Sequence, residues 1–465
     1  MRCVKTQQKT EEALAIAQDV LAMLGAQAAW LKQGETPEKD KFRQIFKQMA
    51  QNKQTLKQLA ALPPIYNERK LKAIKIFYWL LIAFFGTDLH ELVSGKIFEL
   101  TIESGYSEEG INGILTYASG YVREGRKKAE LSLAASELHT ELNSEKLQHD
   151  YCLILGGYLQ CWSSNLRDSL STLLDGLQIG NKNGHVNNAA ICGSLLCSYS
   201  LFSGEKLDIV EDRMNHFSDW AKEERLYGSS RLGFLPFLQL VKCLQEGGSG
   251  SKESLLEGEE MDTAEMNAAA EKSPMVSCSL AVCRLELACI FRDLGLAQDL
   301  LSDGPDVVDK RPGHFSGCRF TFYEFLASVE IAQKSPLSPL SKRADAAQKQ
   351  IENWINDGNV NCSHLMPLVK AESAVMKGKK NQARKHFQQV VIEAKSGSYL
   401  QDRAMSLERA AAFFLADGDA VAATTYYMRS KGLFKEWGAY SKVRSMNRNP
   451  EWSRLIKASH DKSSA

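Results

Sequence analysis

The feature that most constrains the fold of this chain is a long tract without proline. Proline occurs at Pro64 and next at Pro236, so 171 consecutive residues lack it, while single glycines recur along the tract. Proline is poorly tolerated inside helices and glycine commonly marks their ends, so such a tract favours helices joined by short turns. At 465 residues the chain exceeds one hydrophobic core, and either two or three domains or one elongated stack of repeats is expected.

The spacing of apolar residues agrees with this interpretation. In residues 131–142 and 166–177, leucines and alanines recur three and four residues apart, which places them on one face of a helix. The alternation of apolar and polar residues that is typical of a strand is not sustained in the sequence. We therefore predict an all-α fold in which helices pair as hairpins.

The charges of the chain are balanced. Its 57 basic and 56 acidic side chains give a formal net charge of +1, so no net field attracts a phosphate backbone or an anionic membrane. The most hydrophobic run, residues 76–87, has twelve residues, whereas a membrane span needs about twenty, and it predicts a buried core helix. The polar, basic start of the chain is unlike a secretory signal. We expect a cytoplasmic protein that binds neither nucleic acid nor membrane.

The eleven cysteines do not have the spacing of metal ligands. Cys192 and Cys197 are five residues apart, and Cys278, Cys283 and Cys289 follow at separations of five and six. Zinc ligands are commonly about two to four residues apart. Because these cysteines lie within apolar helical stretches, we predict small buried packing residues that stay reduced, and no metal or other cofactor.

One segment departs from the helical pattern. Gln245 to Lys272 begins with glycine and serine and holds eight acidic side chains against two lysines, a net charge of −6 in 28 residues. Charge repulsion and few large apolar groups oppose ordering, so we predict a flexible insertion whose deletion leaves the fold intact. The predicted division is 1–244 for N-terminal hairpins, 245–273 for the insertion, 274–450 for C-terminal repeats and 451–465 for a tail.

Two stretches near the C-terminus match each other forty residues apart. In each, a small residue, a glycine, a second small residue and an aromatic fall at offsets 0, 7, 12 and 16. They are Ala371, Gly378, Ala383 and Phe387 in the first stretch, and Ala411, Gly418, Ala423 and Tyr427 in the second. This register resembles the tetratricopeptide repeat, although the interval is 40 residues rather than about 34. It predicts tetratricopeptide-like hairpins that form an α-solenoid, while any helical hairpin with an alanine seam would look alike.

Each residue type has a physical role in such a repeat. Ala371 and Ala383 would let two antiparallel helices approach closely, Gly378 would adopt the positive φ of the turn, and Phe387 would fill the gap beside the alanines. The earlier part of the chain keeps the rhythm of hairpins without this register. There, Gly204 is followed at the alanine position by Ile209.

Three stretches resemble the helical region that follows the ATPase module of very large multidomain sensor kinases. In that family a serine/threonine-kinase-like domain, a signal-transduction ATPase, helical repeats, a GAF domain and a histidine kinase lie on one chain. The stretches occur in the family's order and are residues 156–180 (GGYLQCWSSNLRDSLSTLLDGLQIG), residues 194–207 (SLLCSYSLFSGEKL) and residues 383–443, the last with the triplet Trp437, Gly438 and Ala439. This triplet is more than repeat packing requires.

The resemblance covers roughly residues 10–450 and only the helical region of the family. It implies an interaction or regulatory segment that binds a protein partner or flanking ATPase and kinase domains. Residues 1–465 hold neither the ATPase that precedes this region in the family nor the sensor and kinase domains that follow it. We therefore expect either a fragment of a longer polypeptide or a relative that works alone, and the family's enzymatic activities are not implied.

No motif with catalytic chemistry stands out in the sequence. Residues 247–254 (GGSGSKES) have the wrong spacing for a phosphate-binding loop, and the His-Arg-Asp and Asp-Phe-Gly motifs of protein kinases are missing. His90, Glu91 and Leu92 begin like a histidine-kinase phosphoacceptor helix, but Val93 and Gly95 break the pattern. The expectation for His90 is an ordinary histidine on a helix surface, and the chain is predicted not to be an enzyme.

Three functions compete at this stage. The leading hypothesis is a binding scaffold, in which stacked hairpins present a concave surface to a peptide, a helix or a neighbouring domain. An effector-responsive regulatory segment is the alternative, and an apolar cavity between hairpins near Trp79 or Trp162 would favour it. A cryptic enzyme is less expected and would need a deep pocket with convergent titratable groups.

Overall fold

The chain forms two compact units, Met1–Ser163 (unit 1) and Ser164–Ala465 (unit 2), and each is described by itself. The structure is a computed structural model. It describes residues 14–26, 31, 37–84, 87–122, 125–226, 229–248, 252–303, 313–334, 339–395 and 398–455.

Unit 1 is built from helices that pack on their neighbours in sequence. They are α1 (Leu14–Met23), α2 (Pro37–Gln51), α3 (Lys53–Leu59), α4 (Glu68–Ala83), α5 (Asp88–Ser104), α6 (Glu108–Tyr121), α7 (Gly125–Leu142), α8 (Gln148–Ile154) and α9 (Gln160–Ser163). A π-helical segment, Leu155–Leu159, joins α8 to α9. The core contains fully buried aromatic side chains from α4, α5 and α6, namely Phe77, Phe98 and Tyr117.

The apolar run at residues 76–87 is not wholly buried, which corrects the sequence expectation. Helix α4 begins after Asn67, whose side chain accepts a hydrogen bond from the backbone N–H of Lys70, and it buries Phe77 completely. Its opposite face carries Trp79, which is 77% exposed, and Ile82, which is 62% exposed. The sequence pattern predicts a core helix because the run is apolar on every side. In the structure only one side of the helix packs against the core of unit 1.

Unit 2 contains the remaining helices. They are α10 (Asp168–Lys182), α11 (Val186–Phe202), α12 (Leu207–Glu223), α13 (Ser229–Leu232), α14 (Leu235–Gln245), α15 (Thr263–Lys272), α16 (Pro274–Phe291), α17 (Leu294–Asp303), α18 (Ser316–Lys334), α19 (Leu340–Asn356), α20 (Met366–Met376), α21 (Lys380–Glu393), α22 (Leu400–Ala416), α23 (Ala420–Trp437) and α24 (Tyr440–Arg448). The most extensive packing is between consecutive helices, in the pairs α10/α11, α18/α19, α20/α21 and α22/α23.

The predicted all-α class of helical-hairpin repeats is confirmed. Within the described ranges there is no β-strand, and the only strand-like pairings are isolated bridges between Pro64 and Tyr106 and between Gly258 and Met261. Helices α16 and α18 are rich in apolar residues and are buried along most of their lengths. Such helices form the core of a unit rather than its surface.

The chain divides at Ser163 and Ser164, and not at the acidic segment as the sequence led us to expect. Predicted boundaries at 244, 273 and 450 therefore fall inside unit 2. The described part of the predicted tail, residues 451–455, also belongs to this unit, because the ring of Trp452 stacks on Tyr427 with centroids 4.0 Å apart. The charge pattern marked a change in composition, whereas the division between units follows the packing of helices.

The described part of the acidic segment packs into unit 2. Leu256 and Met266 are buried, and the amide of Gln239 both donates to the carbonyl of Glu257 and accepts from the N–H of Glu260. Helix α15 begins at Thr263 because the Asp262 side chain caps it. A few well-placed apolar side chains and one buried amide order a segment whose average composition argued against order.

Candidate functional site

The two predicted turn glycines occupy equivalent places. Gly378 lies between α20 and α21 with a φ of 68°, and Gly418 lies between α22 and α23 with a φ of 85°. These are left-handed conformations that favour glycine. The small residues of the register, Ala371, Ala383, Ala411 and Ala423, all have 0% exposure and lie on the four helices of these hairpins.

The aromatic positions of the register both contact the element that follows. The ring of Phe387 on α21 stacks on Phe413 of α22, with centroids 4.7 Å apart. Tyr427 on α23 stacks on Trp452, and its hydroxyl donates to the carbonyl of Met446 at 3.0 Å. These side chains thus join one hairpin to the next, which is the contact that a stack of repeats requires.

Trp437, which the sequence singles out in the triplet 437–439, makes a contact with a residue 232 positions away. Its side chain is fully buried at the end of α23, and its indole N–H donates to the carbonyl of Glu205 at 3.0 Å. Gly438 follows with a φ of 100° and lies against Leu207. The triplet 437–439 therefore meets the turn between α11 and α12.

The same turn receives a second set of contacts from the start of α22. The backbone N–H of Tyr399 donates to the carbonyl of Ser203 at 3.4 Å, and the Gln401 amide donates to the carbonyl of Phe202 at 2.9 Å. Gly204 has a φ of 74°, and a Cβ there would lie 2.5 Å from the Cα of Tyr399. We call residues 202–205 together with Tyr399, Gln401 and Trp437 the clasp.

A third contact ties the beginning of unit 2 to the clasp. The Oδ1 atom of Asn361 accepts from the N–H of Leu166 at 2.9 Å and from the hydroxyl of Tyr399 at 2.6 Å. Its amide nitrogen donates to the carbonyl of Ser164 at 2.8 Å. Parts of all three stretches that carry the family resemblance thus converge within unit 2, at residues 164–166, 202–207 and 399–439.

A buried ionic cluster lies among α16, α18 and α22. Arg319 has 2% exposure, and its guanidinium makes a two-pronged contact with Asp402 at 2.7 and 2.9 Å. It also donates to the Tyr323 hydroxyl at 2.6 Å, which in turn donates to Glu286 at 2.8 Å. The charges are paired inside the unit, although Arg319 Nε and Glu286 Oε2 have no hydrogen-bond partner among the described residues, so the cluster joins three helices instead of facing solvent.

The two carboxyl groups of this cluster differ in proton affinity. Burial raises the pKa of Asp402, but the Arg319 guanidinium and the His364 imidazole outweigh it and lower that pKa to about 2. Burial dominates at Glu286 and raises its pKa above the ordinary value, although Arg319 opposes this. Arg319 therefore stabilises mainly the charged form of Asp402, and of the two carboxyl groups Glu286 takes up a proton more readily.

A second buried cluster joins α18, α20 and α22. Arg409 donates to Glu330 at 3.1 Å and to Glu372 at 3.0 Å, and Arg292 at the end of α16 contacts Glu330 at 2.6 Å. Arg409 lowers the pKa of Glu330, which outweighs the effect of its burial. These charged side chains of α18, α20 and α22 therefore bind one another and are not available to a ligand.

A cleft of about 340 Å³ opens beside the first cluster, between α20, α21 and α22. Its polar end is formed by Asp402 and His364, whose Nε2 lies 2.9 Å from Asp402 Oδ2. The His364 ring stacks on Tyr399 with centroids 4.1 Å apart. Leu368 and Val390 line the apolar wall. The cleft has room for a side chain or a small ligand, and Glu393 and Arg403 add charged groups to its lining.

The side chains tested for catalytic or metal chemistry lie apart from each other. The Nδ1 atom of His90 lies 2.7 Å from the Tyr121 hydroxyl, and burial lowers its pKa to about 4. In the part of the chain that the structure describes, no group of three or more histidine, cysteine or acidic side chains is placed to hold a metal ion. Ten cysteines within that part are buried.

The two tryptophans that would have marked an effector cavity do not line the cleft beside Asp402. Trp79 is largely exposed on α4, and Trp162 lies under the ammonium of Lys128, 5.2 Å from the ring centroid. Among the described helices, α16 is long and apolar enough to cross a membrane by length and composition alone. It is mostly buried inside unit 2, and a core helix meets the same criteria.

Comparison with known proteins identifies no family. No family model matches the chain, and no curated protein matches it. The crystal structure of a Rap protein complexed with Competence and Sporulation Factor has a TM-score of 0.48 at 12% identity, covering 80% of this chain and 98% of that one. A circular tandem repeat protein with novel repeat topology has a TM-score of 0.18 at 13% identity, covering 90% and 96%.

Proposed function

We propose that this chain is a non-catalytic helical-repeat module for protein–protein or interdomain interaction in signal transduction, acting in the cytoplasm. The observation that carries the proposal is the internal pairing of the buried charges. Arg319, Asp402 and Glu286 bind one another, and so do Arg409, Glu330 and Glu372. Groups that would have to converge on a substrate in an enzyme are engaged in holding helices together.

The proposed partners are the ATPase and kinase segments of multidomain signalling polypeptides. The resemblance of the sequence to the helical region of such polypeptides supports this choice. Parts of the three resembling stretches also meet at the clasp, so they belong to one packing arrangement. Stacked hairpins are also a common framework for binding proteins.

The test uses the intact chain, because the clasp ties the C-terminal hairpins to α11 and truncation before Ala371 would expose the core. The full chain is immobilised, and ATPase and histidine-kinase segments encoded in the same genome are passed over it in biolayer interferometry. We expect specific binding with a Kd of about 1–10 μM. An unrelated tetratricopeptide protein of similar net charge serves as the control surface. Binding no stronger than the control up to about 100 μM contradicts the proposal.

An enzyme assay provides the complementary test. The purified chain is expected to show no ATP turnover above the level of the preparation and no phosphorylation on His90. ATP turnover that a single substitution in this chain abolishes would overturn the scaffold proposal, because contaminating activity would not respond to the substitution.

The cleft beside Asp402 favours a second candidate, an effector-responsive regulatory module. Its volume of about 340 Å³ and its mixed lining, with His364, Glu393 and Arg403 beside apolar residues, suit a small ligand. Ser406 lines the same cleft, so Ser406→Leu would fill it. A compound from a fragment set that raises the melting temperature of the wild type, but not of S406L, would establish this function. Equal shifts in both proteins would exclude the cleft as the site.

A further inference from the structure

Unit 2 has a second cleft, on a different face from the one beside Asp402. It has a volume of about 460 Å³ and lies over α11, between α10 and α12. Both of these helices pack against α11. Two helices flanking a third form an elongated groove, which we call the α10–α12 groove. None of its lining residues belongs to the clasp or to the buried ionic clusters.

The α10 side of the groove is a ridge with helical spacing. Leu174, Leu177, Gln178 and Asn181 line it, at positions i, i+3, i+4 and i+7. Leu174 is 41% exposed although it is a large apolar side chain. The ridge extends along two helical turns, or about 10 Å, with its apolar residues first and its amides last.

The α12 side has the same spacing. Arg213, His216, Phe217 and Trp220 line it, again at i, i+3, i+4 and i+7. The rings of Phe217 and Trp220 stack with centroids 5.7 Å apart. The indole N–H of Trp220 is buried, and among the residues that the structure describes it has no hydrogen-bond acceptor. The ring of Trp220 adds apolar surface to this side of the groove.

The floor of the groove is apolar. Gly193, Leu196 and Cys197 of α11 line it, and Leu196 and Cys197 are buried. A Cβ at Gly193 would overlap the Phe217 ring, so glycine here lets α12 lie close to α11. Leucine, phenylalanine and tryptophan side chains between two polar rims are the usual composition of a groove that receives the apolar face of a helix.

The exposed rim of the groove is acidic. Asp175 on α10 and Asp212, Asp219 and Glu223 on α12 are exposed. Of the basic groups beside them, Lys222 is paired with Asp219 at 3.0 Å and Arg213 is paired with Glu205, while Lys182 is exposed on α10, so the excess of acid lies on the α12 side. On α12, Asp212, Asp219 and Glu223 are spaced seven and four residues apart, so they lie along one flank of the ridge. Asp212 and Asp219 directly precede the ridge residues Arg213 and Trp220. A partner with positive charge beside its apolar face therefore complements this rim.

We propose that the α10–α12 groove binds an amphipathic helix of a partner protein, with apolar residues at i, i+3, i+4 and i+7 and basic residues along the edges of that face. This inference rests on the proposed interaction function and names the surface and the kind of partner. The matched ridges define the length of helix that is engaged, the apolar floor provides the burial, and the acidic rim selects the charge.

The probe is a fluorescein-labelled synthetic peptide of about 18 residues, with leucines at the four ridge positions and lysines beside them. Fluorescence anisotropy with the full chain is expected to give a Kd of about 10–100 μM. Two control peptides have the same length, one with the leucines scrambled off a common face and one with glutamate in place of lysine. Both are expected to bind at least about tenfold more weakly. Equal binding of the three peptides would overturn the inference.

Variants of the chain locate the site. Leu174→Arg places a positive charge and a longer side chain at the exposed start of the groove and should weaken binding of the basic peptide at least about tenfold. The matched control is Ile392→Arg, since Ile392 is 55% exposed on α21 outside the groove, and it should leave the Kd unchanged. Asp212→Lys should weaken binding about threefold at low salt and less at high salt. Circular dichroism confirms that each variant is folded, and equal Kd values for L174R and I392R would refute the site.

Two further measurements separate the possible occupants. Sedimentation velocity that shows a wild-type dimer, and a monomer for L174R, would make a second copy of this chain the occupant and overturn the inference. The ATPase and kinase segments are also tested against L174R and I392R. If they bind both variants equally, the groove is not their site while the interaction function stands. If the basic peptide binds through the groove but the segments do not bind at all, the groove inference holds and the proposed partners are wrong.

Discussion

Replacing Gly204 by alanine tests the clasp directly. Gly204 has a φ of 74°, so any other residue is strained there. An added Cβ would also lie 2.5 Å from the Cα of Tyr399 and 2.6 Å from the N of Leu400, and it would overlap the Gln401 side chain. The first two contacts are with backbone, which cannot move aside as a flexible side chain does, so the α11–α12 turn and the start of α22 have to separate.

The expected cost has two parts. Left-handed backbone in a residue with a Cβ costs about 1–2 kcal/mol. Separation also breaks the bonds to the carbonyls of Ser203 and Phe202, each worth about 1 kcal/mol. We expect Gly204→Ala to lower the free energy of unfolding by about 3–4 kcal/mol. Gly378→Ala is the matched control, because Gly378 has a φ of 68° and open space around its Cα, and it should cost only the strain, about 1–2 kcal/mol.

Urea unfolding followed by circular dichroism measures both variants, with separate transitions fitted if the two units unfold independently. A double-mutant cycle with Gln401→Ala then identifies the contact, since shortening Gln401 should recover part of the Gly204→Ala loss. Equal losses of unfolding free energy in the Gly204 and Gly378 variants would refute the reasoning. Backbone strain would then be the only effect, and the close approach at the clasp would not contribute to stability.

Four other predictions concern unit 2. Ala423→Leu should overpack the seam between α22 and α23 and cost about 1–3 kcal/mol in urea unfolding, whereas Ala420→Leu at an exposed position should cost little; equal costs would refute the register. Glu286→Gln should leave the free energy of unfolding at pH 7 within about 1 kcal/mol of the wild type, because the Tyr323 hydroxyl keeps an acceptor and a buried charge is removed. Asp402→Asn should cost about 3–5 kcal/mol, because it leaves Arg319 poorly paired. The pKa of Asp402 is lowered to about 2. The contribution of the Asp402 carboxylate to the free energy of unfolding is therefore fully present above about pH 4 and should be lost as the pH falls from 4 towards 2. An acid titration in which D402N shows the same loss of stability would contradict this. Deleting residues 252–272 removes the buried Leu256 and Met266 and should therefore lower the melting temperature by about 10 °C. A shift of about one or two degrees would instead support the flexible insertion that the sequence predicts.

The sequence was sufficient to predict the helical class and the last two hairpins. The reason the register stopped there is a difference of one residue in turn length. Helices α21 and α23 begin two residues after Gly378 and Gly418, whereas α12 begins at Leu207, three residues after Gly204. The buried position of the hairpin consequently moves from Ile209, which is 47% exposed, to Val210, which is fully buried. A fixed spacing cannot follow such a shift.

The buried ionic clusters and the groove were beyond the sequence patterns. Charged residues are usually exposed, so Arg319 and Glu286 gave no signal of burial except that each interrupts an apolar stretch on α18 or α16. Their partners lie on other helices, and Asp402 is 83 residues from Arg319. The groove needs the relative placement of α10 and α12, which no periodicity within one helix contains. The triplet at Trp437 was noticed in the sequence, but its contact 232 residues away was not predictable from it.

The clasp also sets the order of events during synthesis. Gln401 contacts the end of α11 across 199 residues and Trp437 contacts Glu205 across 232 residues. On a ribosome that adds about 5–20 residues per second, the carbonyls at the end of α11 wait roughly 10–40 s for those donors. During that interval the clasp is open, and α14 and α16 lack their packing against α24. A nascent chain arrested before Gln401 should therefore be a client of chaperones, and release past Trp437 should end that dependence.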